Sequence, residues 1–502
     1  MIAVPPQAYR GVRSFLWICT VLLSVLLAIQ TGAMLVSWPL VHDAPLIHYI
    51  VFLKSHGFAP YRDIVDMNMP GAYMAESLAM RFFGTGALGW VLWDLFLSAW
   101  VVFLSTRFAG REKRTYGFMA GAVSVLLHWS DGPSNLGQRD WVVATLLLSA
   151  LACLLEYVTR GRNVWIPVVT LLIVSAATIK PPALLYLLLP LFVLFRRLQK
   201  RQPCATYLLW GIVGAILPVF AVGVHLFRIH AAGAFLATLS SLVPYYASIG
   251  NVGWQIMLPS HLGGIFCAFL LSSLLLLSRT NWKNPRVELA AFATVCGIAT
   301  FAIQNKGWAY HRYPFLVTLS LLLLLLIADG LRTRGIRFWF AGVMLCAVAI
   351  VVPARALWHQ WKTPYPLTTL SCLENDIRNI GPERLQNSVQ CLDMTHGECI
   401  NVLYRLRLVQ TTGSIYDYYL FPKMATPLTT TLQEQFLQQV TAHPPRLFIL
   451  SEQDWPAGEL GYAQLHRWRQ FESFLIAHYR LRSEHLRGPS DMAGYRLYER
   501  FD

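Results

Sequence analysis

Long apolar runs recur along most of this chain and constrain its fold more than any other feature. A helix needs about 20 mostly apolar residues to cross the hydrocarbon core of a bilayer, and within lipid only helices and closed barrels satisfy every backbone polar group. Such runs lie at 14–36, 86–106, 115–130, 140–158, 164–180, 182–195, 205–227, 259–278, 287–304, 313–328 and 338–355. The sequence therefore predicts an α-helical polytopic membrane protein with about eleven transmembrane helices.

The composition agrees with a membrane environment. Hydrophobic residues make up 55% of the 502 residues and charged residues only 13%, against roughly 25% charge in a usual soluble protein. The net charge of +15 would suit a nucleic-acid partner, but 18 of the 27 Lys and Arg before residue 357 fall in alternate loops, on one side of the predicted membrane. These residues are Arg10, Arg13, Arg107, Arg111, Lys113, Arg114, Arg160, Arg162, Arg196, Arg197, Lys200, Arg201, Arg279, Lys283, Arg286, Arg332, Arg334 and Arg337. We therefore expect no nucleic-acid partner.

The basic loops also set the predicted orientation. Cytoplasmic loops carry the excess of Lys and Arg, so the N-terminus is expected in the cytoplasm and, after eleven crossings, the tail outside it. The first run has no small-residue cleavage site followed by soluble sequence, which favours an anchor over a removed signal peptide. The predicted location is the plasma membrane, the inner membrane of a bacterium. The expected outer segments are 37–85, 128–140, 228–258 and 304–313.

The chain changes character near residue 357. Its tail carries 14 Lys and Arg against 15 Asp and Glu, and strand and helix patterns alternate in it, which predicts an extracytoplasmic α/β domain over 357–502 beside a membrane domain over 1–356. The predicted strands are 388–394, 446–451 and 495–500, and the predicted helices are 432–442, with Thr431 and Glu434 spaced as a capping box, and 466–479. Cys391 and Cys399 are close enough to pair outside the cytoplasm, but the odd cysteine Cys372 leaves the pairing open.

The first outer segment is the part of the chain richest in possible chemistry. His42-Asp43-Ala44 directly follows the first run, and Gly57-Phe58-Ala59-Pro60-Tyr61-Arg62-Asp63-Ile64-Val65-Asp66 leads to a Pro70-Gly71 turn back to the membrane. Asp43 taken alone is a loop acid at the end of a helix. A carboxylate at the bilayer surface can also accept a hydroxyl proton, with its pKa adjusted by partial burial.

This segment resembles the C-type glycosyltransferase superfamily (GT-C), nearest to its protein O-mannosyltransferase and lipid A aminoarabinose transferase branch. The resemblance rests on an Asp just after the first membrane helix, followed by Gly-x-x-Pro-Tyr-Arg-Asp and a Pro-rich return. It implies that Asp43 is the catalytic carboxylate, that the donor is a sugar on a polyprenyl phosphate, and that transfer to an extracytoplasmic acceptor takes place at the outer face. Ala44, where the family commonly has Glu, and Asp131-Gly132-Pro133 depart from the pattern and weaken any transfer of metal ligands.

Cations on the outer side are few, and a departing lipid phosphate needs cations to hold its charge. The candidate phosphate ligands are Lys306, His311, Arg312, Arg139, Lys180 and Lys54. Each has an ordinary alternative. The first three lie among aromatic residues typical of an interfacial anchor, Arg139 can pair with Asp140, and the other two can be plain loop or helix lysines.

Asp63, Asp66 and Asp131 are candidates for acceptor binding or for a divalent cation, but their irregular spacing leaves the metal unknown and no cofactor is certain. Asp94, inside an apolar run, is expected to have a structural partner because a lone charge in lipid is costly. Two other functions stay open. A transporter or lipid flippase without covalent chemistry would suit the helix number, although the paired halves of transporters are not visible. The second of these open functions is a membrane scaffold whose tail binds a partner.

Overall fold

The computed structural model describes residues 6–253, 257, 264–277, 281–333, 350–393, 398–452, 455, 462–488, 491 and 493–501. In these residues seven helices are long and apolar enough to cross a membrane: Ser14–Ser37, Ala87–Ala109, Arg139–Arg160, Pro181–Gln199, Ala205–Arg228, Pro285–Gln304 and Ala309–Gly330. The chain is thus a mainly helical, multi-pass membrane protein, as predicted. The count of eleven stays a prediction, because the runs at 259–278 and 338–355 lie partly outside the described residues.

The helices of the described chain up to residue 333 are α1 (Pro6–Ser37), α2 (Asp43–Ser55), α3 (Pro70–Phe83), α4 (Ala87–Ala109), α5 (Arg114–Trp129), α6 (Arg139–Arg160), α7 (Trp165–Ile179), α8 (Leu188–Gln199), α9 (Ala205–Arg228), α10 (Ala232–Ser240), α11 (Leu242–Ser248), α12 (Gly264–Leu276), α13 (Pro285–Gln304) and α14 (Tyr313–Thr333). Residues 350–362 are helical as well. A 3-10 segment, Pro181–Leu187, precedes α8. It begins with two prolines, which lack an N–H donor and therefore suit a helix start.

The membrane core is built around α14. A helix that is apolar on every face belongs in a protein interior. In the most apolar 18-residue stretch of each helix, 94% of α14 is buried but only 17% of α9 is buried. The run of leucines from Leu321 to Leu326 is buried, and α14 packs against α5, α6 and α13. The apolar side chains that α9 exposes form part of the surface expected to face lipid.

The tail contains α15 (Thr368–Ile380), α16 (Cys399–Leu406), α17 (Pro427–Ala442) and α18 (Arg469–His478). Its sheet has four strands in the order β1-β2-β4-β3, namely β1 (Val389–Leu392), β2 (Leu447–Ser451), β3 (Tyr479–His485) and β4 (Tyr495–Arg500). β1 and β2 are parallel, and the other two pairs are antiparallel. The predicted α/β character of the tail is therefore confirmed.

Three details of the tail differ from the prediction or resolve it. The predicted capping box is wrong, because α17 begins earlier, with Thr426 as its N-cap and Thr429 as its reciprocal partner. Pro427, which has no N–H and a fixed φ, favours that start. Strand β3, together with α15 and α16, was not predicted. Cys391 and Cys399 form a disulfide, and Cys372 is a free thiol.

The tail shares a hydrophobic core with the first outer segment. Leu46, Ile50 and Tyr73 of α2 and α3 belong to the same buried cluster as Leu403 and Ile415 of the tail. The Tyr49 hydroxyl donates to the Leu408 carbonyl and accepts from the Gln410 N–H, each at 2.9 Å. The tail is therefore fixed to the helices beside Asp43, while the predicted domain boundary near residue 357 stays a prediction.

One backbone contact shows how closely the two parts approach. Val65 donates to the Gly413 carbonyl at 2.9 Å and forms an isolated parallel bridge with Ser414. A Cβ on Gly413 would lie 1.6 Å from the Asp63 carbonyl oxygen, so only glycine fits this position.

Candidate functional site

A cavity of about 350 Å³ lies at the end of the helix bundle that carries the segments 37–85, 128–140 and 304–313, here called the loop end. Five of the residues predicted from the sequence line it: Asp43, Arg139, Lys180, Lys306 and His311. Its aromatic lining consists of Tyr246, Trp308, Tyr310, Tyr416 and Trp455. The cavity combines one carboxylate and several cations with a largely apolar wall.

Asp43 is the first residue of α2, directly after the turn that follows α1. Its Oδ1 lies 3.3 Å from His42 Nδ1. Its Oδ2 accepts hydrogen bonds from Arg139 at 3.1 Å and from the Gln138 amide at 3.2 Å. Burial alone would raise the pKa of Asp43, but His42, Arg139 and Gln138 together hold it well below its usual range. Asp43 is therefore an ionised carboxylate at neutral pH.

Arg139, at the start of α6, is held from two directions. Besides Asp43, it donates to the side-chain oxygen of Asn68. The Asn68 amide in turn donates to both carboxylate oxygens of the buried Asp66, at 2.9 and 3.1 Å, and Tyr73 donates to Asp66 at 2.6 Å. Asp66 thus orients Asn68, which orients the guanidinium beside Asp43.

Lys180 lies in the break between α7 and the following 3-10 segment. Its Nζ is 3.2 Å from Asp140 Oδ2 and 5.7 Å from the ring centroid of Tyr310. Burial lowers the pKa of Lys180, and Asp140 partly opposes that effect. The Lys180 ammonium is thus paired with Asp140, lies over the Tyr310 ring and lines the cavity.

Lys306 also lines the cavity, but its donors are occupied. Its ammonium donates to the carbonyls of Tyr246, Ala247 and Ile249 and to the Asn251 side chain, the first at 2.9 Å and the last at 3.0 Å. Burial lowers the pKa of Lys306 to about 8. Because the last carbonyls of a helix lack partners within it, Lys306 caps α11 and fixes it to the loop between α13 and α14.

His311 is the remaining predicted phosphate ligand at the cavity. It is 4% exposed, and its Nδ1 has no hydrogen-bond partner among the described residues. Buried polar atoms are usually paired. An unpaired ring nitrogen at a cavity wall is available to a ligand.

The other predicted site residues lie away from the cavity. Arg312 is paired with Asp131, which also accepts from the Tyr313 hydroxyl at 3.0 Å. Asp63 is paired with Arg62, and Lys54 lies near the C-terminal end of α2. In the part of the chain that the structure describes, no three His, Cys, Asp or Glu side chains converge as metal ligands.

Asp94 has the structural partners that the sequence predicted. Its carboxylate accepts from His128 Nε2 at 2.7 Å, Trp129 Nε1 at 2.8 Å and the Gly137 N–H at 2.8 Å. These contacts fix both ends of the segment that delivers Gln138 and Arg139 to Asp43. Gly137 has a φ of 61°, and a Cβ there would lie 2.4 Å from Trp90, so this turn requires glycine.

Sequence reasoning missed several residues that shape this site. Gln138 and Asn68 are uncharged, and nothing in their local sequence indicates that they contact an acid or a cation distant along the chain. Tyr416 and Trp455 come from the tail, which was expected to be a separate domain. The one available signal was the pair Gln138-Arg139 at the start of an apolar run, where a helix N-terminus was already predicted.

No protein-family model matches this chain, and no curated protein sequence does. Among solved structures, ArnT from Cupriavidus metallidurans bound to undecaprenyl phosphate superimposes with a TM-score of 0.55 at 14% identity, covering 96% of this chain and 98% of ArnT. The archaeal oligosaccharyltransferase AglB from Archaeoglobus fulgidus, in complex with an inhibitory peptide and a dolichol-phosphate, gives 0.52 at 12% identity, covering 96% of this chain and 74% of AglB.

ArnT, a lipid A aminoarabinose transferase, and AglB are both GT-C glycosyltransferases. The similarity extends over nearly the whole chain, including the tail. At 14% and 12% sequence identity, this similarity establishes a shared fold and no more. This protein therefore shares the fold of these two glycosyltransferases, as the resemblance in its first outer segment predicted.

Proposed function

We propose that this protein is a membrane glycosyltransferase that moves a sugar from a polyprenyl-phosphate donor to a hydroxyl of an extracytoplasmic acceptor. The observation that carries the proposal is the meeting of Asp43 with Arg139, Lys180 and His311 around one cavity. Its fold supports the same function, because the ArnT structure contains bound undecaprenyl phosphate and the AglB structure is a complex with a dolichol-phosphate. The acceptor hydroxyl belongs to a lipid, a glycan or a protein.

In the proposed reaction Asp43 is the general base. The acceptor oxygen attacks the anomeric carbon, the bond from that carbon to the phosphate oxygen breaks with its electron pair on the phosphate, and Asp43 takes the hydroxyl proton. A base works best when its pKa is near the working pH, and that of Asp43 is held low partly by Arg139. We propose that the donor phosphate draws Arg139 towards itself and thereby raises the basicity of Asp43 only when the donor is bound.

Lys180, His311 and Arg139 are the proposed phosphate ligands. Positive charges and hydrogen-bond donors placed where charge develops on the leaving group lower the barrier to transfer. Lys306 lines the same cavity and supports it by holding α11, while Arg312 supports it by holding Asp131. The apolar residues Ile303 and Val243 and the aromatic wall suit the first isoprene units of the lipid.

We also propose that the loop end faces the extracytoplasmic side of a bacterial inner membrane. The proposed domains are a catalytic membrane part, 1–356, and a tail, 357–502. The basic loops on the opposite side and the disulfide Cys391–Cys399 support this orientation, because disulfides persist outside the reducing cytoplasm.

A reconstitution experiment separates this function from a transporter or flippase. The purified protein in liposomes is given a radiolabelled polyprenyl-phosphate sugar and a membrane extract as the acceptor source. The proposal expects free polyprenyl phosphate and a labelled, glycosylated product. Movement of intact donor between leaflets without product would instead establish lipid transport.

A further inference from the structure

The turn that leads into Asp43 has an unusual backbone. His42 has φ 63° and ψ −123°, a left-handed region that residues with a Cβ rarely adopt. Such conformations persist only when the surrounding structure enforces them, and they cluster at functional sites. The position of Asp43 therefore depends on the contacts that hold the His42 backbone in this conformation.

Residues of the tail hold this turn from both sides. The Glu398 Oε1 atom accepts the His42 backbone N–H at 3.4 Å and the Tyr365 hydroxyl at 3.3 Å. The Asn401 amide donates to Glu398 Oε2 at 2.8 Å and to the Leu40 carbonyl at 2.9 Å. The backbone just before Asp43 is thus bonded at residues 40 and 42 to two side chains that lie more than 350 residues later in the sequence.

Glu398 is itself anchored in the tail. The next residue, Cys399, forms a disulfide with Cys391 at the end of β1. The Cys399 N–H donates to Asp393 Oδ2 at 3.0 Å, which caps the start of α16. Glu398 is 3% exposed. The backbone beside Glu398 is therefore tied to β1, and its carboxylate is bonded to Tyr365 and Asn401 of the tail.

We propose that Glu398 is a positioning residue for Asp43, acting through the His42 backbone, and that the tail completes the catalytic turn through it. The inference deepens the proposed function, since it rests on Asp43 as the base. It assigns the tail a part in catalysis that does not require it to touch the substrate.

Three variants test the inference. Glu398→Ala removes the acceptor of the His42 N–H, and Glu398→Gln keeps a carbonyl oxygen in its place. Glu434→Ala, at an exposed position on α17, is the matched control. Hydrogen exchange of peptides covering 38–46 should be faster in Glu398→Ala and unchanged in the other two. In the transfer assay kcat should fall by about 10- to 100-fold in Glu398→Ala, while affinity for undecaprenyl phosphate stays at the wild-type value. Recovery in Glu398→Gln is expected.

Asn401→Ala provides a second arm if Glu398→Ala does not fold, and the same faster exchange is expected with a smaller loss of kcat. Unchanged exchange across 38–46 in a folded Glu398→Ala protein would overturn the inference. Faster exchange with wild-type kcat would overturn it as well. If the wild-type protein transfers no sugar, the proposed function fails, while the exchange data still decide whether Glu398 holds the turn.

Discussion

Lys180 and Lys306 line the same cavity, but their side chains have different partners. Lys180 faces Asp140 and the Tyr310 ring, so one side of its ammonium is open to a phosphate. We expect Lys180→Ala to lower kcat/KM for the lipid donor by about 10- to 100-fold, because a charge-assisted hydrogen bond contributes roughly 1.5–3 kcal/mol. Steady-state kinetics over a range of donor concentrations measure the effect.

Lys306→Ala is the informative comparison. Removing this lysine leaves the last carbonyls of α11 without a donor, so we expect a lower thermal midpoint in detergent as well as weaker donor use. Lys180→Ala removes the partner of the buried Asp140, so its midpoint should fall as well, but its larger effect should be on donor use. Equal donor kinetics in Lys180→Ala and the wild type would remove Lys180 from the phosphate site.

The depressed pKa of Asp43 predicts how the rate depends on pH. The acid limb of kcat/KM reports the free enzyme, and a carboxylate with a lowered pKa stays ionised until the pH falls below the ordinary value of about 3.9. Asp43 should therefore cause no loss of kcat/KM between about pH 8 and pH 5. Because Arg139 is one cause of the depression, Arg139→Gln should move the Asp43 limb to higher pH.

The quantity to compare is the pH at which kcat/KM falls on the acid side. The maximum value of kcat/KM is not suitable, since Arg139→Gln also removes a proposed phosphate ligand. Arg160→Gln, at an exposed position at the other end of α6, is the control and should leave the limb unchanged. An identical limb in Arg139→Gln and the wild type would show that Arg139 does not set the charge of Asp43.

Among the structural elements, the segment from His128 to Gly137 depends on a single carboxylate. Asp94→Asn replaces one acceptor oxygen by an amide that cannot accept, which leaves a buried donor unpaired at a cost of about 1–3 kcal/mol. We expect a lower thermal midpoint and a lower kcat, because Gln138 and Arg139 follow this segment directly. Ser98→Ala removes the 3.2 Å bond from Ser98 to Asp94 and the 3.3 Å bond that Ser98 accepts from Trp141, but it leaves the three bonds from Asp94 to the segment intact, so kcat should change little. Wild-type kcat in Asp94→Asn would contradict the link to Asp43.

The elements differ in how far the sequence predicts them. Apolar runs and turn residues are local signals, so the apolar helices, the first outer segment and three of the four tail strands could be predicted. The contacts that build the cavity are not local: Gln138 meets Asp43 across 95 positions and Glu398 meets His42 across 356. Polar side chains that pair over such separations carry no periodic pattern. Asp94 is the exception, because an acid inside an apolar run signals a partner even when the partner is unknown.

At the scale of the whole molecule, the tail and the first outer segment behave as one folded unit. Tyr49 bonds to the backbone of Leu408 and Gln410, and Val65 bonds to Gly413. The predicted division at residue 357 follows composition, but the hydrophobic core crosses it. The predicted boundary lies where the composition changes, whereas a boundary between folded domains lies where few contacts cross it.

The membrane orientation is testable with fusion proteins. A reporter that is active only outside the cytoplasm should be active when fused after residue 360 and silent after Arg114 or Arg201, because the basic loops are retained inside. Cell fractions confirm that each fusion is made and inserted. Activity after Arg201 would overturn the predicted crossings and place the loop end on the wrong side for an extracytoplasmic acceptor.

The replacement of Asp43 by Asn tests the proposed mechanism most directly. The change is nearly isosteric and keeps an oxygen for Arg139, but an amide cannot take the acceptor proton. Initial rates of sugar transfer in liposomes should fall by about 10²–10⁴-fold, with undecaprenyl phosphate affinity and the thermal midpoint close to wild type. Transfer by the Asp43→Asn protein at the wild-type rate would show that Asp43 is not the base and that its place in the cavity is only structural.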